Sequence, residues 1–132
     1  MKYWSFKSFV TDSGRNVFQL WMDSQTISVR ATIHETLDQI EILPKLGPPF
    51  TKKLVGYDAI WELRAKADNT QWRPLFCLGL NGEIIFLVGA TKTGDKKKTK
   101  WDPINALETA EKRHKLISGD RRYISEYKRA SG

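Results

Sequence analysis

The run Ile84-Ile-Phe-Leu-Val88, entered through Asn81-Gly82, limits the fold more than any other stretch of the chain. Its apolar side chains occupy both sets of alternating positions, a pattern that places the strand in the interior of a sheet. Asn-Gly ahead of it suits a tight type I′ turn, so a second strand, residues 72–80, runs antiparallel beside the strand at 83–91. Upstream, Trp61, Leu63 and Ala65 alternate with Glu62, Arg64 and Lys66, the pattern of a strand over 60–66 with one face on the core. Asp68-Asn69-Thr70 turns it into 72–80, which completes a meander of three antiparallel strands. Pro74 has no N–H, so its strand requires a bulge or a free N–H side at that point.

The remaining segments add helices to this sheet. Residues 2–10 place Trp4, Phe6 and Val10 at even positions, a further strand that ends at Asp12-Ser13-Gly14. Residues 16–23 carry both periods, and periodicity does not decide between helix and strand there. Val29, Ile33, Leu37, Ile40 and Leu43 recur at three and four residues, with Ser24 and Thr26 as caps and Pro44 as a stop, which predicts an amphipathic helix. Asp102-Pro103 reads as an N-cap followed by proline at the first helical position of a last helix, which Gly119 ends. The basic stretch 120–132 reads either as a short docked helix or as a frayed, mobile tail. At 132 residues the chain has room for a single domain, residues 1–132, burying roughly two-thirds of the surface its unfolded form exposes. The expected architecture is α+β: a small twisted antiparallel sheet with helices on one face and a basic groove on the other face or rim.

Composition narrows the function classes. The net charge of +7, concentrated in the second half, favours a polyanionic partner. Its densest part is Lys92, Lys96, Lys97, Lys98 and Lys100, between a strand and the last helix. No apolar run approaches the ~20 residues of a membrane helix, and Lys2, Ser5 and Lys7 interrupt the aromatic N-terminus, so the expected location is the cytoplasm with no membrane partner. Cys77, alone, reads as a small buried hydrophobe. His34 and His114 are eighty residues apart with no metal-ligand spacing, and Gly79, Gly82 and Gly89 make no phosphate-cradling loop, so neither metal nor cofactor is expected. What remains is a set of cations presented from strands: Arg64 beside Glu62, Arg73, Lys92 and the lysines that follow. Read conservatively, Glu62 and Arg64 form a cross-strand or same-face pair that keeps the sheet edge soluble.

Phe50-Thr-Lys-Lys-Leu-Val-Gly, Ile60-Trp-Glu-Leu-Arg64, Trp72-Arg73, Asn81-Gly82, Ile84-Ile-Phe-Leu-Val-Gly and Thr91-Lys92 occur in an order that resembles the phage-derived, HigB-like branch of the RelE/ParE toxin superfamily. The resemblance covers most of the chain and implies a helical hairpin at the N-terminus, with 16–23 as its first helix. It also implies a ribosome-dependent mRNA endonuclease, an mRNA interferase that inhibits translation, held in check by a cognate helix-turn-helix antitoxin. Metal-free RNA cleavage requires the ribose 2′-OH to attack its own phosphorus while charge on the phosphoryl oxygens is stabilised. On this analogy Arg73 is the phosphate clamp and Lys92 stabilises the transition state or moves a proton. Arg64 joins them, with Glu62 as ion-pair partner or general base. Lys96, Lys97, Lys98 and Lys100 would contact ribosomal or messenger phosphates. Trp101 would stack on a base or pack against the helix start. Related toxins often carry an aromatic hydroxyl or histidine near the final helix; here Tyr123 or Tyr127 fills that place only if the terminal segment folds over the sheet. Two rivals stay open: a ParE-like gyrase poison, and a non-catalytic RNA- or ribosome-binding protein.

Overall fold

The computed structural model describes residues 1–94 and 98–129. Its elements are β1 (Ser5–Phe9), α1 (Val17–Asp23), α2 (Ile27–Glu41), β2 (Thr51–Lys53), β3 (Trp61–Leu63), β4 (Ala65–Ala67), β5 (Thr70–Trp72), β6 (Leu75–Leu78), β7 (Glu83–Val88), β8 (Thr91–Thr93), β9 (Lys100–Asp102), α3 (Ala106–Gly119) and β10 (Ile124–Glu126). They form an α+β fold with two sheets, ordered β10-β1-β7-β6-β3-β2 and β4-β5-β8-β9. β1 runs parallel to β7 and the other pairs are antiparallel, so the larger sheet is mixed where a purely antiparallel one was expected.

The apolar strand β7 does lie inside the larger sheet, and its two apolar faces have two separate coverings. On one side α1 and α2 pack Phe18, Met22, Val29, Ile33, Leu37 and Ile40 against Phe6, Phe76, Ile84 and Phe86; the Phe18 and Phe86 rings stack with centroids 3.9 Å apart. On the other, Ala106, Ala110 and Ile117 of α3 meet Phe9, Leu75, Cys77, Ile85 and Leu87. This corrects the expectation of helices on one face: a strand apolar at every position needs cover on both sides. Cys77 lies inside the second cluster, where burial raises its thiol to about 12.

Local chemistry accounts for most boundaries. The side chains of Asn16 and Thr26 accept from Gln19 N and Val29 N, capping α1 and α2. Asn81 (φ 51°) and Gly82 (φ 77°) both take the left-handed turn geometry that Asn-Gly favours. The last helix starts later than Asp102-Pro103 suggests: Asp102 closes β9 and α3 begins at Ala106. Among the described residues, no helix is long and apolar enough to cross a membrane.

The basic terminal segment is docked through Arg129. β10 pairs antiparallel with β1, Tyr123 stacks on Phe9, and Arg129 pairs with Asp38 and Glu41. Tyr127 is buried against Phe18, its hydroxyl 2.7 Å from His34 Nε2, and burial pushes its phenol up to about 12. Burial, then the nearby Arg129, lowers the His34 pKa, with Asp38 opposing them. A histidine base with a depressed folded pKa favours folding above its ordinary value and loses that contribution as pH falls through the folded one. Thermal unfolding followed by circular dichroism should therefore show stability declining as pH drops below about 6.5. His34→Gln, which keeps a partner for Tyr127, should flatten that decline.

Candidate functional site

The three meander strands all break at one level, and the site lies in that crease. Residues 60–66, expected as one strand, divide at Arg64: β3 stays in the larger sheet and β4 enters the smaller one. Residues 72–80 divide at Arg73-Pro74, where proline has no N–H to give a ladder, and just beyond, between Leu75 and Phe76, β6 shifts register against β7. Residues 83–91 divide at Gly89-Ala90. A Cβ on Gly89 would lie 2.1 Å from the Trp21 ring, so only glycine lets that indole seat against the bend. Backbone bonds from Arg64 N to Phe50 O and from Arg73 N to Ala90 O, both 2.8 Å, tie the broken ends together.

At the crease the strand alternation projects Glu62, Arg64, Arg73 and Lys92 to the same side. Glu62 is 0% exposed. Its Oε2 accepts from Arg64 Nε at 3.0 Å and lies 3.5 Å from Arg73 Nε, while Lys92 Nζ is 3.5 Å from Oε1. The Lys92 contact is an ion pair by distance only, because Oε1 is buried without a hydrogen-bond partner. A carboxylate removed from water costs several kcal/mol unless opposite charge surrounds it. Here three cations do so, and they leave the crease net positive.

The three cations differ in what they have free. Arg73 is 13% exposed. Its Nη1 donates to Ala65 O at 3.0 Å and Trp72 O at 2.9 Å, and its Nη2 to Gln71 Oε1 at 3.2 Å. Burial lowers its pKa, Glu62 opposes that shift and Arg64 reinforces it. Arg64 is 35% exposed and holds Glu62 through Nε, with no partner for Nη1 or Nη2 among the described residues. Lys92 is 25% exposed, and its ammonium lies 5.1 Å from the centroid of the Trp101 ring.

Trp101 is the cross-strand partner of Lys92 and packs against the α3-side core. With the ammonium over one side and the core on another, the ring supports Lys92 and is poorly placed to stack on a base. Lys92 and Lys100, at the two ends of the lysine-rich stretch, lie on the paired strands of a β8–β9 hairpin. A Cβ on Gly94 (φ +87°) would meet Lys98 O at 2.0 Å, so glycine permits that close crossing. Lys98 and Lys100 are exposed on this hairpin; Lys96 and Lys97 lie outside the described residues. Tyr123 and Tyr127 flank β10, the opposite edge strand of the larger sheet, and do not join the crease. Gln71, which fixes Arg73, was not singled out from the sequence. Its spacing of two from Arg73 on a strand is the signal that places both on one face.

The family pattern described as phage-derived protein Gp49-like (DUF891) matches residues 20–115, well over half of the chain and all four crease residues. The chain belongs to this Gp49-like family. The family is associated with toxins of toxin–antitoxin pairs, which suggests an antitoxin as partner. No curated protein and no solved structure matches the chain. In this Gp49-like protein the matched segment runs from α1 into α3 and so takes in β2 to β9, with β1 and β10 of the larger sheet outside it.

Proposed function

We propose that this Gp49-like protein is a HigB-like toxin that cuts mRNA on the ribosome without a metal ion, and that a cognate helix-turn-helix antitoxin restrains it. The observation that carries this reading is the crease itself. A buried carboxylate holds Arg64 through Nε and lies 3.5 Å from Lys92 Nζ, while both cations stay partly exposed and Arg64 Nη1 and Nη2 have no partner among the described residues. Preorganised cations of this kind stabilise charge that develops on phosphoryl oxygens, and they need no reorganisation as the reaction proceeds. In the proposed step the 2′-oxygen bonds to phosphorus, the P–O5′ bond breaks, the 2′-OH proton leaves to a base and O5′ takes up a proton. The products are a 2′,3′-cyclic phosphate and a 5′-hydroxyl.

Roles divide by what each side chain has free. Arg64, whose fork is open, is the better phosphate clamp. Arg73, with every guanidinium nitrogen engaged by the protein, acts as a strut that ties Glu62 to the β4 and β5 backbones. Glu62, enclosed by cations, serves as their counter-ion and not as the general base.

The test is purified protein added to a translating extract, with message ends mapped by primer extension. Cuts within translated codons, bearing a cyclic phosphate, support the reading. Intact message together with arrested gyrase supercoiling favours the gyrase-poison reading, and intact message with strongly salt-dependent RNA binding favours a binding protein.

A further inference from the structure

The smaller sheet carries an ordered row of side chains across its strands. In the β4–β5 ladder Lys66 stands opposite Gln71, in the β5–β8 ladder Gln71 stands opposite Lys92, and in the β8–β9 ladder Lys92 stands opposite Trp101. Residues opposite each other in an antiparallel ladder project to the same face. Two contacts agree with this: Gln71 Oε1 accepts from Arg73 and Lys92 overlies Trp101. At ordinary strand spacing the row from Lys66 to Lys92 spans about 10 Å.

Each member has a distinct state. Lys66 is exposed and has no ion pair or hydrogen bond among the described residues. Gln71 is half-buried, and because its Oε1 accepts from Arg73, its amide N–H₂ is left as a donor with no partner among the described residues. Lys92 is propped by Trp101 and drawn toward Glu62.

We infer that Lys66 and Gln71 extend the crease into a track for single-stranded RNA, resting on the RNA reading given above. A strand whose reacting phosphate sits at Arg64 and Lys92 would run across β5 toward β4. Gln71 would donate to the backbone or a base edge there, and Lys66 would neutralise a neighbouring phosphate. A cation, a fixed amide donor and a second cation at strand spacing match the polyanionic, flexible form of such a ligand better than that of a compact small anion. Lys66 contributes charge without sequence choice, while Gln71 is the one member able to read a base.

The experiment is a salt titration of affinity for a 2′-O-methyl single-stranded RNA, which cannot react, using the full chain. Lys66→Ala should weaken binding several-fold and reduce the slope of log affinity against log salt by about 0.7, the amount expected for one phosphate contact on a single strand. Gln71→Ala should weaken binding with the slope unchanged. Lys112→Ala, an exposed lysine on α3 away from the row, serves as the bulk-charge control. Equal effects of Lys66→Ala and Lys112→Ala, or none from Lys66→Ala, would overturn the track. Unchanged thermal unfolding of Lys66→Ala and Gln71→Ala shows that the losses come from contact and not from folding; binding losses that merely parallel unfolding would also overturn it. The two readings fail separately. Message cleavage that ignores Lys66 sinks the track alone, whereas row-dependent binding without any cleavage sinks the nuclease alone.

Discussion

If the proposed cleavage is the activity, Arg64→Ala and Lys92→Ala should each lower its single-turnover rate by about 10²- to 10³-fold, the usual cost of removing one preorganised donor from a developing oxyanion. Both side chains are partly exposed and neither fills a core cavity, but each loss leaves the buried Glu62 with less counter-charge, so both variants should also lower the unfolding midpoint, Arg64→Ala more because it removes the donor to Glu62 Oε2, and the rates are compared well below that midpoint. Arg64→Lys should recover little of the loss. An ammonium cannot hold Glu62 with one nitrogen and offer a planar fork to phosphate with two others. Trp101→Leu should act through Lys92, giving a smaller fall in rate, because it removes the ring beneath the ammonium while keeping apolar packing against the α3-side core. The measurement is a time course of cleaved message at saturating protein. Full activity in both alanine variants would take the chemistry out of the crease.

How far this arrangement can be read from the residues depends on what kind of interaction makes it. The α2 face shows in Val29, Ile33, Leu37 and Ile40 because burial repeats with the helical period. Strand alternation likewise puts Glu62 and Arg64 on one face, as observed. The crease is invisible to the same test, since Leu63 and Ala65 keep alternating into one core while the chain passes from one sheet to the other. Only Pro74 hints at it; Gly89 signals nothing until Trp21, distant in sequence, lies against it. Burial of Glu62 is hidden for a related reason. A carboxylate among alternating charges reads as solvated, and what encloses it are cations from strands that meet only after folding. The β8–β9 hairpin shows the same limit, because its pairing is made by the backbone while its lysines carry the signature of a loop.

Glu62 is where folding and function oppose each other most directly, and Glu62→Ala should be the most destabilising change in the crease, by about 3–5 kcal/mol in denaturant unfolding. The loss arises from what stays behind. Arg64 and Lys92 can turn toward water, but Arg73 is held among Ala65 O, Trp72 O and Gln71 and remains as a buried cation with no counter-charge. Glu62→Gln keeps the volume and an acceptor for Arg64 Nε, so it should cost less stability while still removing the charge that aims the cations. It should bind non-reacting RNA at least as tightly as the parent, the site having lost a negative charge, yet cut more slowly. A carboxylate acting merely as a structural prop would instead let affinity and rate fall together with stability. The split between tighter binding and slower cleavage in Glu62→Gln is therefore the signature of a residue that positions others. Without that split, the ion cluster would be part of the fold and not the frame of the site.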